Sequence, residues 1–133
     1  MLLVALATVS SLAGDVRSYR SLLENPVTAA NLINRANLEF KSQVQEWKNV
    51  LLRGANPEDQ RKYWNQFEAA ERAVDGTLQE ITQLEVSAAT LSEISTLRAA
   101  HERLATKYRT SLDAYTAAGM NPTAGDQSAR GID

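Results

Sequence analysis

Cysteine is absent from the 133 residues, histidine occurs once and proline three times. Without cysteine there is no disulfide, no thiolate metal site, no c-type haem attachment and no cysteine nucleophile. A single histidine, His101, removes the paired Glu-x-x-His motifs of di-iron bundles, the His-Glu-x-x-His of zinc hydrolases and any multi-histidine metal site. No Gly-x-x-x-x-Gly-Lys loop, Gly-x-Gly-x-x-Gly turn or Gly-x-Ser-x-Gly elbow occurs, so phosphate cradling and serine chemistry lack their scaffolds. There is no basic run either. The 14 Lys and Arg residues are spread among 16 Asp and Glu residues, for a net charge of -2, which leaves no electrostatic footprint for nucleic acid. We therefore expect no enzyme, no cofactor, no metal and no nucleic-acid partner.

Glycine is also scarce, at 6 residues, while Ala, Leu, Glu, Gln and Arg are plentiful and the hydrophobic fraction is 44%. Such a composition favours long amphipathic helices in one all-α domain. The opening run MLLVALATVSSLA is uncharged and apolar, but shorter than the roughly 20 residues of a bilayer span. It lacks the basic start of a secretory signal, and the first charges come at Asp15, Arg17 and Arg20. Residues 1–14 read as the end of a transmembrane helix whose beginning lies upstream; the competing reading is a buried N-terminal helix.

Residues 15–24 are helical in pattern, and Asn25-Pro26 offers an N-cap with a first-turn proline, hence a kink or restart. Ile33, Ala36, Phe40, Val44, Trp47 and Leu51 then recur at spacings of three and four, placing one apolar stripe on a helix ending near Leu52. Gly54 suits a left-handed C-terminal cap, and Asn56-Pro57 opens an antiparallel second helix, with Glu58 and Asp59 at the positive end of its dipole. Its stripe is Tyr63, Phe67, Ala70, Val74, Leu78, Ile81 and Leu84, interrupted by Gly76, which marks a close contact or a local loosening. Thr90 and Glu93 fit a capping box for a third helix, striped by Leu91, Ile94, Leu97, His101, Leu104, Tyr108, Leu112 and Tyr115. Gly119, Asn121-Pro122 and Gly125-Asp126 end it, with Asp126 a candidate cap for a fourth. The expected architecture is an up-down antiparallel four-helix bundle, of which three long helices and the start of the fourth are present. Left without a full fourth helix, it should expose apolar stripes.

Beside the first stripe, Asn34, Asn37, Lys41, Gln45 and Lys48 form a face without acids. Amides and ammonium groups are the donors that carboxylate or phosphate oxygens need, so this face suits a small anion; it equally suits a solvated or dimer-contacting surface. Arg35 falls on another side with Glu39 and Glu46. In the third helix Arg98, Arg103, Lys107 and Arg109 add cations that Glu102 and Asp113 can offset through helix-neighbour pairs. His101, within an apolar stripe, reads as a hydrogen-bonded core residue rather than a general base. Trp47, Tyr63, Trp64 and Phe67 read as bundle packing rather than a ligand box.

The run Phe40-Lys41-Ser42-Gln43-Val44-Gln45-Glu46-Trp47-Lys48-Asn49-Val50-Leu51-Leu52-Arg53-Gly54, continuing to Tyr63-Trp64 and Phe67-Glu68, resembles the periplasmic domain of methyl-accepting chemotaxis proteins. Ala100-His101, Tyr108-Arg109, Ala118-Gly119-Met120-Asn121-Pro122 and Ala129-Arg130-Gly131-Ile132-Asp133 are similar to the third helix and the entry to the fourth in the same subgroup. The resemblance implies that residues 15–133 are a periplasmic ligand-binding domain, incomplete at its fourth helix. That domain would be tethered to the inner membrane by flanking helices and would act as a homodimer. Its partner would be a small ligand such as an organic acid, an amino acid or phosphate, with Arg35, Lys41, Gln45 and Lys48 as candidate ligand-binding residues. The other function in view is a sensor or interaction bundle of another membrane signalling protein, such as a histidine kinase.

Overall fold

The computed structural model describes residues 2–131, with side chains from Asn25 to Gly131. The membrane-helix reading of residues 1–14 thus lies outside the residues with described side chains. Among the described residues no helix is long and apolar enough to cross a membrane. Four helices follow one another, α1 (Leu2–Arg53), α2 (Pro57–Ile81), α3 (Ala88–Ala117) and α4 (Pro122–Ala129). The described residues contain no strand. The chain is an all-α up-down bundle of three long helices and a short fourth.

The turns are built from side chains that replace missing helix hydrogen bonds. Asn56 Oδ1 accepts from the backbone N–H groups of Glu58 (2.8 Å) and Asp59 (3.4 Å) ahead of Pro57. Asn121 Oδ1 repeats this with Thr123 (2.9 Å) and Ala124 (3.4 Å) ahead of Pro122. In each case proline occupies a first-turn position where its missing N–H costs nothing. Both turns therefore carry the same Gly-x-Asn-Pro signature, Gly54 to Pro57 and Gly119 to Pro122. The two glycines serve different ends. Gly119 (φ 70°) and Met120 (φ 60°) are left-handed. Met120 N–H bonds Tyr115 C=O (2.8 Å) and Gly119 N–H bonds Thr116 C=O (3.0 Å), the paired bonds of a Schellman cap. Gly54 is not left-handed, contrary to the expectation; a Cβ there would lie 3.0 Å from the Tyr115 hydroxyl, so what it supplies is close approach.

Other local expectations also need correction. Asn25-Pro26 does not restart a helix, because α1 is continuous through Pro26. Asn25 does not cap there; its Nδ2 donates to the Glu85 carbonyl (3.2 Å), tying α1 to the link between α2 and α3. α3 starts from Ser87, not Thr90: Ser87 Oγ accepts from Thr90 N–H at 3.1 Å and thereby begins the helix three residues earlier. Asp126 does not cap the fourth helix, because Asn121 already does so and Asp126 lies inside it. Nothing from a neighbouring helix lies within 4 Å of a Cβ built on Gly76, which removes the close-contact reading.

Two apolar clusters hold the bundle. Near the Gly-x-Asn-Pro turns, Trp47, Val50 and Leu51 of α1, Tyr63 and Phe67 of α2, Tyr108 and Tyr115 of α3 and Ala129 of α4 pack together. Phe67 stacks on Trp64 with ring centres 4.7 Å apart and meets Tyr108 edge-on at 4.9 Å, while Trp47 meets Tyr108 at 5.5 Å. The aromatic residues are therefore bundle packing, as their spacing implied. Toward the other end, Ala29 and Ala36 join Val74, Leu78, Ile81 and Ile94. Between α2 and α3 ionic ties add to these apolar contacts. Arg98 bonds Asp75 (3.0 Å), and Arg109 forks onto both Glu71 oxygens (3.0 and 2.8 Å), so these cations are offset across helices, not by Glu102 or Asp113 on their own helix. The Glu71 hydrogen bonds raise the Arg109 pKa above its ordinary value.

Several stripe residues stay exposed, Ile33 at 41% and Leu97 at 46% among them. They border a groove of about 450 Å³ between α1, α2 and α3, also lined by Ala36, Phe40, Leu78 and His101. We expect Phe67→Ala, at a site with no exposed surface, to destabilise the bundle by about 3–5 kcal/mol. Urea unfolding followed by circular dichroism checks this, and a loss under about 1 kcal/mol would contradict the packing described.

Candidate functional site

Lys41, Gln45 and Lys48 are all exposed on α1, with Asn34 and Asn37 earlier on the same side. Four residues and then three, each close to one turn, separate Lys41, Gln45 and Lys48, so three donors line up over roughly 10 Å of the helix axis. Lys48 sits where three helices meet. With Asp126 and Arg130 it rims a small pocket of about 70 Å³ lined underneath by Val44, Trp47, Leu51, Tyr108 and Ala129. Arg130 lies 3.8 Å from Asp126, and both are mostly exposed, so their attraction is screened and leaves the guanidinium able to turn toward an anion. α4 thus brings a second cation to the stripe. Sequence spacing along α1 could not reveal it; only the Asp126/Arg130 i,i+4 pair behind the Asn121-Pro122 cap marks it.

Arg35 is placed differently from the other three candidates. Its guanidinium bonds Thr77 Oγ1 (3.1 Å) and Glu80 Oε1 on α2, and lies 3.7 Å from Glu39. It is committed to holding α1 against α2, while Lys41, Gln45 and Lys48 share a face it does not belong to.

The chain is 52% identical over 136 aligned residues, covering its whole length, to the methyl-accepting chemotaxis protein CtpH of Pseudomonas aeruginosa. The alignment takes in 23% of that relative's length, so the chain spans about a quarter of it. The chain is related to methyl-accepting chemotaxis proteins. No family model matches it, and no solved structure does. What the chain shares with this chemotaxis protein is a stretch of sequence, and in the present chain that stretch folds as helices.

Within that chemoreceptor-like bundle one buried polar contact escaped the sequence reading. His101 is 6% exposed and its Nε2 lies 2.9 Å from Oε1 of Gln43, which has no exposed surface. Phe40 meets the imidazole edge-on at 6.2 Å. His101 is thus the hydrogen-bonded core residue expected, and its partner is a glutamine set on the buried face of α1 between Phe40 and Trp47. Gln43 Nε2 has no hydrogen-bond partner among the described residues. Among the described residues, too, no three His, Cys, Asp or Glu side chains come together to hold a metal.

Burial lowers the His101 pKa below 6.5, against the smaller opposing pull of Glu71, Asp75 and Glu102. The unfolded chain then takes up the histidine proton before the folded one does. Stability from neutral His101 is full above pH 6.5 and falls as pH drops from there toward the lower folded-state value. We expect the midpoint of thermal unfolding to rise between pH 5 and pH 7, by less in His101→Gln than in the parent. An identical slope in both would show that His101 contributes nothing to it.

Proposed function

We propose that this chain is the extracytoplasmic sensor region of a methyl-accepting chemotaxis receptor, set in the periplasm and tethered to the inner membrane by flanking helices. The observation carrying this reading is the 52% identity that extends over the whole chain to one segment of a chemotaxis protein. In this reading two copies pair as a homodimer and bind a small anion, an organic acid, an amino acid or phosphate.

The ligand face is the stripe of Lys41, Gln45 and Lys48, joined by Arg130 from α4. Ammonium and guanidinium groups form the short charge-assisted bonds that carboxylate and phosphate oxygens accept, and Gln45 adds an orienting amide. None of Lys41, Gln45 and Lys48 has a hydrogen bond or ion pair among the described residues, so an anion gains these donors without breaking an internal contact. Arg35 is kept in the proposal only as a supporting residue, since releasing it would give up its bonds to Glu80 and Thr77.

Signalling follows as a population shift. An anion bridging α1 and α4 favours the packing that brings Lys48 and Arg130 together, and the bundle populations change by as much as the two packings differ in affinity for it. A helix that continues into the membrane carries the change onward. Titration calorimetry of the intact sensor region against inorganic phosphate, L-aspartate and malate tests the reading. Binding by at least one of them, weakened about tenfold or more in Lys48→Ala, is expected, because losing one charge-assisted bond removes about 1.5–3 kcal/mol. Binding restricted to uncharged or cationic compounds would refute the anion face. Unchanged affinity in Lys48→Ala, Lys41→Ala and Gln45→Ala would move the site elsewhere.

A further inference from the structure

An acid stands on the rim of the cationic pocket. Asp126 borders it together with Lys48 and Arg130, above a floor that includes Trp47, Tyr108 and Ala129. Beside a bare oxyanion this carboxylate is a like charge at close range and opposes binding. Nor is α4 able to roll it away. The helix is seated through Gly125, where an added Cβ would collide with Leu51 of α1 and press on Tyr115 of α3, and through Ala129, which packs in the cluster with Trp47 and Tyr108. These two contacts are four residues apart on one side of α4, and Asp126 and Arg130 each follow one of them. Acid and base are therefore set together along the edge of the seated face.

The carboxylate also keeps its capacity to accept hydrogen bonds. Its approach to Arg130, at 3.8 Å, is longer than a hydrogen bond, and among the described residues no donor bonds it. An ionised carboxylate only accepts, whereas ammonium and guanidinium groups only donate. The rim thus offers two cationic donors and one charged acceptor. A hydrogen phosphate answers all three, with its bare oxygens on Lys48 and Arg130 and its P–OH donated to Asp126; an amino acid does the same with its carboxylate and its ammonium group. Sulfate or a plain dicarboxylate has nothing to donate and leaves Asp126 facing a like charge. We propose that Asp126 is a specificity-determining residue, admitting anions that carry a hydrogen-bond donor of their own and turning away those that carry none. The repulsive element is what discriminates, since Lys48 and Arg130 attract both kinds alike. The inference rests on the reading of Lys48 and Arg130 as an anion face and adds which anions that face accepts.

Calorimetric titration of the full-length receptor in lipid nanodiscs at neutral pH tests it with two matched pairs, inorganic phosphate against sulfate and L-aspartate against succinate. The donor-bearing member of at least one pair should bind about tenfold or more tightly than its mate. A gap in the first pair assigns the donor to a P–OH group, and a gap in the second assigns it to an ammonium group. In Asp126→Asn, whose amide can donate to a bare oxyanion, and in Asp126→Ala, which removes the charge, the gap should shrink to about threefold or less. The Asp126 side chain is 63% exposed, so neither variant removes a packing contact. Equal affinities within both pairs, or a gap of unchanged size in both variants, would overturn the role of Asp126 and leave the anion face standing. Failure of all four compounds to bind would overturn the two together.

Discussion

The edge-on contacts of Tyr108 with Trp47 and Phe67 are the interaction on which the rest of the structure depends, because they bring an aromatic ring from each of the three long helices to one point. Everything near the Gly-x-Asn-Pro turns is arranged around that point. Val50, Leu51 and Tyr115 close its upper side, and Ala129 holds α4 against it. The candidate anion face exists as a consequence. Lys48 follows Trp47 in sequence and Arg130 follows Ala129, so the two residues that seat α1 and α4 in the cluster each deliver a cation at its edge. Packing and charge placement are here one problem.

Below the aromatic cluster the character of the contacts changes. Gln43 and His101 interpose a polar layer before the aliphatic cluster of Val74, Leu78, Ile81 and Ile94. Beside this layer α2 and α3 are also joined by the Arg98–Asp75 pair and by the two-pronged Arg109–Glu71 pair. The described bundle is thus most densely packed with aromatic rings at the turn end and more polar across its middle.

Much of this was legible in the sequence because helices write their buried face at a fixed period. Phe67, Leu78, Tyr108 and Tyr115 lie on stripes read from spacing alone and are all fully or almost fully buried. The failures fall where a local signal competed with a tertiary one. Asn25-Pro26 has the chemistry of a helix start, yet the Asn25 amide is drawn to Glu85, 60 residues away. Arg98 and Arg109 had acidic neighbours on their own helix but bond acids on α2, since contacts between helices are invisible to one-dimensional spacing. Gln43 was passed over for a different reason: three residues after Phe40 and four before Trp47 it lies on the buried face by spacing, but its polar side chain kept it out of an apolar stripe. Lys41, Gln45 and Lys48 were readable as one face, whereas the bonds of Arg35 to Thr77 and Glu80, and the position of Arg130 beside Lys48, required the third dimension.

The paired Gly-x-Asn-Pro turns have a mechanical meaning. Each clips two helices with a proline and two hydrogen bonds to an asparagine oxygen, and both clips are at the same end. A bundle clamped in this way behaves as a pair of tongs. Its jaws are the far ends of the helices, about 45 Å away along α3, so a tilt of about 2° at the clamp becomes about 1.5 Å of travel at the tips. Any tilt at the clamp, such as the one proposed for an anion held between Lys48 and Arg130, is thereby geared up with distance, and the length of the helices sets the gain.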